Sequence, residues 1–176
     1  RRAIRPGEAI GVERPRAWSP SDPALYSATI TLYADGVVSE VHELQVGFRT
    51  VRAAGTMIEL NGKPIFLRGI LDWGHEPKHI APAPTPAEVE ARFRGLRERG
   101  FNLVCLCMGY APPWFYEVAD RTGMLLWQQH PVWQSAMGEE HRAEYQRHYA
   151  QFLRRDARHP SVVLVSATCE HPCFDD

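Results

Sequence analysis

One feature constrains this chain more than any other. Between residues 65 and 165, four short apolar runs alternate with three stretches of helical pattern. The runs are residues 65–70, 101–107, 124–127 and 161–165; the helical stretches are residues 86–99, 113–121 and 139–157. Such a β-α-β-α-β-α-β order calls for parallel strands joined by right-handed crossovers. An open doubly wound sheet and a (β/α)8 barrel both satisfy it. No glycine-rich phosphate loop follows any of the strands, which weakens the nucleotide-binding form of the doubly wound sheet.

The helix boundaries carry local signals. Thr85 is a good N-cap, Pro86 falls at the first helical position and Glu88 completes a capping box. Gly100 stops that helix, and Gly123 stops the next. Val89, Phe93 and Leu96 form the first helix's apolar stripe.

The first 52 residues read differently. Residues 27–33 and 37–46 alternate in polarity around Asp35-Gly36, a tight hairpin signal. Two strands cannot hold a core alone. The residues up to Trp18 are therefore expected to add a strand or two, or a partner lies upstream of Arg1. Asn61-Gly62 signals a second hairpin.

Composition narrows the function. The chain has 20 Lys+Arg against 21 Asp+Glu, a net charge of −1, with 44% hydrophobic residues. These globular values give no electrostatic case for nucleic acid or an anionic membrane as partner. No apolar run reaches the roughly 18 residues of a membrane helix. Four cysteines are too few for a disulfide scaffold at this length. Cys105, Cys107, Cys169, His171 and Cys173 contain one zinc-like spacing, Cys169-x3-Cys173. Buried inert thiols are the better reading, so neither a metal nor a cofactor is expected.

Several segments, in order, resemble the family-2 glycoside hydrolases, the β-galactosidase, β-glucuronidase and β-mannosidase group. Trp18-Ser19-Pro20 and Pro23-Ala24-Leu25-Tyr26 look like part of its immunoglobulin-like domain, and Gly47-Phe48-Arg49 like that domain's end. Leu60-Asn61-Gly62-Lys63-Pro64-Ile65-Phe66-Leu67-Arg68-Gly69 is similar to the entry into a barrel's first strand. Gly100-Phe101-Asn102 then resembles the second strand's start. Residues 115–120 with 123–128 are similar to the second helix and third strand, and residues 158–164 lead into the fourth.

The resemblance implies an α/β-plus-β architecture. Residues 1–52 would be the C-terminal part of an immunoglobulin-like β-sandwich. Residues 53–176 would be the N-terminal half, four strands, of a TIM barrel, whose full form needs about 250 residues. It also implies a carbohydrate partner and hydrolysis of O-glycosidic bonds of β-linked sugars with retention. Open strand edges on such a half barrel invite association with other chains.

Glu170 just follows the last strand, on the face where barrel active sites lie. The resemblance makes it the acid/base. The nucleophile, expected after a seventh strand, would lie beyond Asp176, so the 176-residue chain alone is expected to be inactive. Substrate contacts are expected from Asp72, Trp73 and His75 after the first strand, and from Trp114, Gln129, Trp133 and Cys169 near the ends of the others. Departures accompany these matches. Cys169 stands where relatives carry Asn, Cys105 where they carry Arg, and Gln129 where many carry an acid. A thiol is a poor substitute for an amide in a hydrogen bond. The alternative is therefore a sugar-binding relative that has lost catalysis.

Overall fold

The computed structural model describes residues 4–5, 8–75, 84–108, 111–133 and 138–169. Three sheets are present among them. The first is an antiparallel hairpin of β1 (Tyr26–Ala34) and β2 (Val37–Val46). Its turn places Asp35 at φ +50° and Gly36 at φ +78°. Both are left-handed, the twist that a two-residue hairpin turn needs. Apolar side chains on this hairpin remain exposed, Val37 at 70%.

The second sheet is an antiparallel meander of β3 (Val51–Ala54), β4 (Met57–Leu60) and β5 (Lys63–Ile65). The third is parallel throughout, in the order β6 (Gly69–Asp72), β7 (Leu103–Leu106), β8 (Leu125–Gln129) and β9 (Val162–Ser166). The expected single strand over residues 65–70 is thus two strands in different sheets. Asn102 enforces the break: its Oδ1 accepts from the Arg68 amide at 2.7 Å and its Nδ2 donates to the Phe66 carbonyl at 2.9 Å. Those side-chain bonds occupy backbone groups that a continuous strand would commit to its ladder.

Helices α1 (Pro86–Glu98), α2 (Pro113–Thr122) and α3 (Arg142–Asp156, preceded by a 3-10 turn at Glu139–His141) connect the parallel strands. Thr85 and Glu88 make the expected capping box, and Gly123 closes α2 in the left-handed conformation. Val89 and Phe93 of α1 join Phe115, Tyr116, Val118 and Ala119 of α2 in one core with Val104, Leu106, Leu126 and Val162 of the sheet. Gln128, on the same face by strand alternation, donates to Asp156 of α3 at 2.6 Å. All three helices therefore cover one face, whereas a doubly wound sheet carries helices on both.

The described residues before β1 contain no strand. Ala17 makes only an isolated bridge to Phe48. The segment forms a plug instead. Trp18 is fully buried against Leu103 and Leu125, the first residues of β7 and β8, on the face away from the helices. Its indole donates to the Asp120 carbonyl at 2.7 Å, and its own carbonyl accepts from Asn61 Nδ2 at 2.9 Å. Gly47 lies so close to Pro160 that a Cβ there would sit 2.5 Å from Pro160 Cγ. Arg49 then donates to the Pro160 and Val162 carbonyls at 3.1 and 2.5 Å. Trp18 and the Gly47-Phe48-Arg49 run thus join the N-terminal segment to the start of the parallel sheet.

A buried polar pair locks the same end. His159 Nδ1 donates to Asp120 Oδ2 at 2.6 Å, and the Ser161 amide donates to Oδ1 at 3.1 Å. Both side chains are almost inaccessible. With its backbone carbonyl held by Trp18, Asp120 ties α2, the start of β9 and the plug together.

Candidate active site

The opposite, C-terminal ends of the strands hold most of the expected site residues. Register determines which of them share a face. Asp72 pairs with Leu106, Leu106 with Gln128, and Gln129 with Ser166. The next positions, Trp73, Cys107, Gln129 and Ser166, therefore form one row on the face away from the helices. One row below lie Leu71, Cys105, Trp127 and Leu164. The plug around Trp18, Leu103 and Leu125 closes this face at its other end.

Trp73 and Trp133 meet at this rim. Their rings are 6.0 Å apart at 79°, an edge-to-face pair. Both keep substantial exposure, 37% and 40%. Trp133 pairs with Cys169 in an isolated parallel bridge, and the Cys169 amide donates to the Val132 carbonyl at 2.9 Å. That bridge fixes the backbone just before residue 170. Glu170 itself lies outside the described residues.

Gln129 ends β8 with its Oε1 buried and without a hydrogen-bond partner among the described residues. Unsatisfied buried acceptors are costly, so this oxygen is suited to an incoming donor. Beneath it, Trp127 Nε1 donates to Ser166 Oγ at 2.7 Å. That bond orients both groups across the β8–β9 step. Ser166 escaped the sequence reading; its place after an apolar strand was the available signal.

Asp72 is occupied differently. Its Oδ1 accepts from the Gly74 amide at 2.8 Å, and its Oδ2 lies 3.1 Å from Arg92 of α1. The Arg92 guanidinium also rests over the rings of Phe93 and Phe115, at 6.0 and 5.9 Å. Strand alternation places Asp72 on the helix side, and the carboxylate is used there to shape the turn before Trp73. His75 follows that turn and is exposed. Trp114 sits in the first turn of α2, packed against the helix–sheet core and 6.3 Å from Phe115. Trp73, Trp133, Gln129 and Cys169 are thus gathered at one rim, while Asp72 and Trp114 are committed to the helix layer.

Three thiols line the open face. Cys107 Sγ lies 3.2 Å from Cys169 Sγ, and Cys105 is one row deeper. Burial pushes the Cys105 thiol up to about 11, with the nearby Cys169 adding to the shift. It stays protonated at neutral pH. No group of three or more metal-ligating side chains is present among the described residues.

Residues 3–49 match the family model "Glycosyl hydrolases family 2". A β-glucuronidase from Ruminococcus gnavus, solved with D-glucuronic acid, superposes with a TM-score of 0.77 at 25% identity, over 92% of this chain and 28% of that one. β-Glucuronidase 3 of Bacteroides uniformis gives 0.76 at 24% identity, over 94% and 22%. A β-glycosidase from Bacteroides vulgatus gives 0.72 at 24%, over 86% and 20%. The two at 24% identity establish likeness of fold. The chain spans between a fifth and somewhat over a quarter of these structures.

Proposed function

We propose that this chain is part of a family-2 glycosyl hydrolase, a reading supported by the match over residues 3–49 and by the likeness to a β-glucuronidase, that the protein containing it hydrolyses β-linked glycosides with retention, and that Glu170 is its acid/base. In this reading residues 1–52 end an immunoglobulin-like sandwich and residues 53–176 begin a (β/α)8 barrel. The parallel sheet with helices on one face is the wall such a barrel needs. The nucleophile is a second carboxylate beyond Asp176, about 5–5.5 Å from Glu170 across the mouth.

The observation that carries the reading is the row at the strand ends. Trp73 and Trp133 offer aromatic surface to the apolar C–H face of a pyranose. The buried Gln129 Oε1 is an acceptor waiting for a sugar hydroxyl. Glu170 directly follows Cys169, whose backbone is held beside Trp133. As a protonated acid, Glu170 donates to the glycosidic oxygen while the nucleophile attacks the anomeric carbon. The leaving sugar departs and a glycosyl-enzyme remains. Glu170, now a carboxylate, takes a proton from water as that water attacks the same carbon; the bond to the nucleophile breaks, and the sugar leaves with the nucleophile restored as a carboxylate. A hexoside is the substrate class, and the glucuronic acid bound by the Ruminococcus gnavus neighbour makes β-glucuronides the first to assay.

The thiols favour a second reading. Cys107 and Cys169 bring two sulfurs, not an amide, to the rim. A protein that binds sugar without cleaving it fits that chemistry. Assaying the full-length protein and its Glu170→Gln variant on a panel of aryl β-glycosides separates the two. Hydrolysis by the wild type, with a loss of about 100-fold or more for poor leaving groups in the variant, is expected for an acid/base. Saturable binding with no hydrolysis by the wild type supports the second reading.

A further inference from the structure

We propose that Cys107 and Cys169 are an oxidisable pair, closing a disulfide across the rim of the parallel sheet between the ends of β7 and β9. Their sulfurs are already 3.2 Å apart. An approach of about 1 Å reaches bonding distance. The two strands are not neighbours; β8 runs between them. The bond is therefore a chord over the open face, not a cross-strand link along one ladder. Both backbones are held in place for it. The Cys107 amide donates to the Asp72 carbonyl, and the Cys169 amide to that of Val132, each at 2.9 Å.

The oxidant is a low-molecular-weight disulfide. One protein thiolate attacks a sulfur of that reagent, forms a mixed disulfide and releases one small thiol. The second protein thiolate attacks the protein-bound sulfur and expels the other small thiol. The protein loses two electrons and two protons, and the reagent gains both. Cys105 stays out of the exchange: it sits one row deeper on β7, and the close sulfur contact is the one between Cys107 and Cys169. Cys107 and Cys169 are themselves 3% and 1% exposed. Exchange proceeds through local opening of the rim, on a scale of about hours. The disulfide fixes residue 169, so any effect on turnover is a consequence only under the glycosidase reading. The pair itself does not depend on that reading.

The test equilibrates the protein with oxidised glutathione, then counts thiols after denaturation and sequences the cross-linked peptide by fragmentation. The expected result is a Cys107–Cys169 cross-link, with the other two of the four cysteines in these 176 residues left free, and full recovery on treatment with a dithiol reductant. In Cys107→Ser, Cys105, Cys169 and Cys173 should stay free under the same conditions. Unreacted Cys107 and Cys169 in the wild type, a persistent glutathione adduct on either, a cross-link involving Cys105 or Cys173, or a Cys107→Ser variant in which Cys169 still forms a disulfide would each overturn the proposal. The wild-type peptide map stands even if the variant fails to fold.

Discussion

Trp18 donates its indole N–H to the backbone carbonyl of Asp120 at 2.7 Å, across 102 positions of chain, with the ring fully buried. One side chain from the N-terminal segment thereby closes the base of the parallel sheet. Trp18→Ala removes both the bond and the packing against Leu103 and Leu125. A loss of about 3–5 kcal/mol is expected, read as a lower denaturant midpoint. Trp18→Phe keeps most of the apolar contact and should cost less.

Asp120 accepts from His159 and from the Ser161 amide in an almost dry interior. Asp120→Asn turns one acceptor oxygen into a donor, facing groups that themselves donate. The expected cost is about 3 kcal/mol. Chemical denaturation monitored by tryptophan fluorescence measures it, and a change below half that size contradicts the role given to this pair.

Gly47 tests the other side of the junction. A methyl at this position would press into Pro160, and Pro160 is itself held through its carbonyl by Arg49. Gly47→Ala should cost about 1–3 kcal/mol by overpacking. Gly55→Ala is an informative contrast: its Cβ meets nothing within 4 Å, but its φ of +60° is left-handed. Its penalty comes from backbone strain alone. Differential scanning calorimetry compares the two.

Alkaline pH should weaken the fold in a defined window. Burial raises Cys105 from 9.0 to about 11. Burial, reinforced by Asp156, raises Tyr116 from 10.0 to about 12. Each group ionises first in the unfolded chain, so the unfolded state holds fewer protons across these intervals. Stability is therefore complete below pH 9 and falls as pH rises from 9 toward 12. Cys105→Ala should flatten the decline between 9 and 11, and Tyr116→Phe that between 10 and 12. Denaturation midpoints across this range check both.

Much of the fold was legible because its signals are local. Thr85, Pro86 and Glu88 specify a helix start wherever they occur, and Asp35-Gly36 specifies a hairpin turn. Trp18 was harder. Its burial is decided by Leu103 and Leu125, more than eighty residues away, and no periodicity announces that. The break after Ile65 depends on Asn102, equally remote. At the site, residue type identified the Trp73–Trp133 rim, but strand parity separated their role from that of Asp72. A one-residue difference in position sends Asp72 to Arg92 and Trp73 to the open face. The choice between a doubly wound sheet and a one-sided layer was invisible to periodicity, because both use the same β-α order.

The most direct test of Glu170 as the acid/base of a retaining glycosidase uses the full-length Glu170→Gln variant, an activated aryl β-glycoside and sodium azide. An activated leaving group needs no proton from Glu170, so the glycosyl-enzyme still forms. Azide needs no general base, so it attacks where water stalls. The expected result is a rate increase with azide and a product that is the β-glycosyl azide by proton NMR. An α-glycosyl azide would contradict retention. A variant as active as the wild type, indifferent to azide, would contradict the role of Glu170.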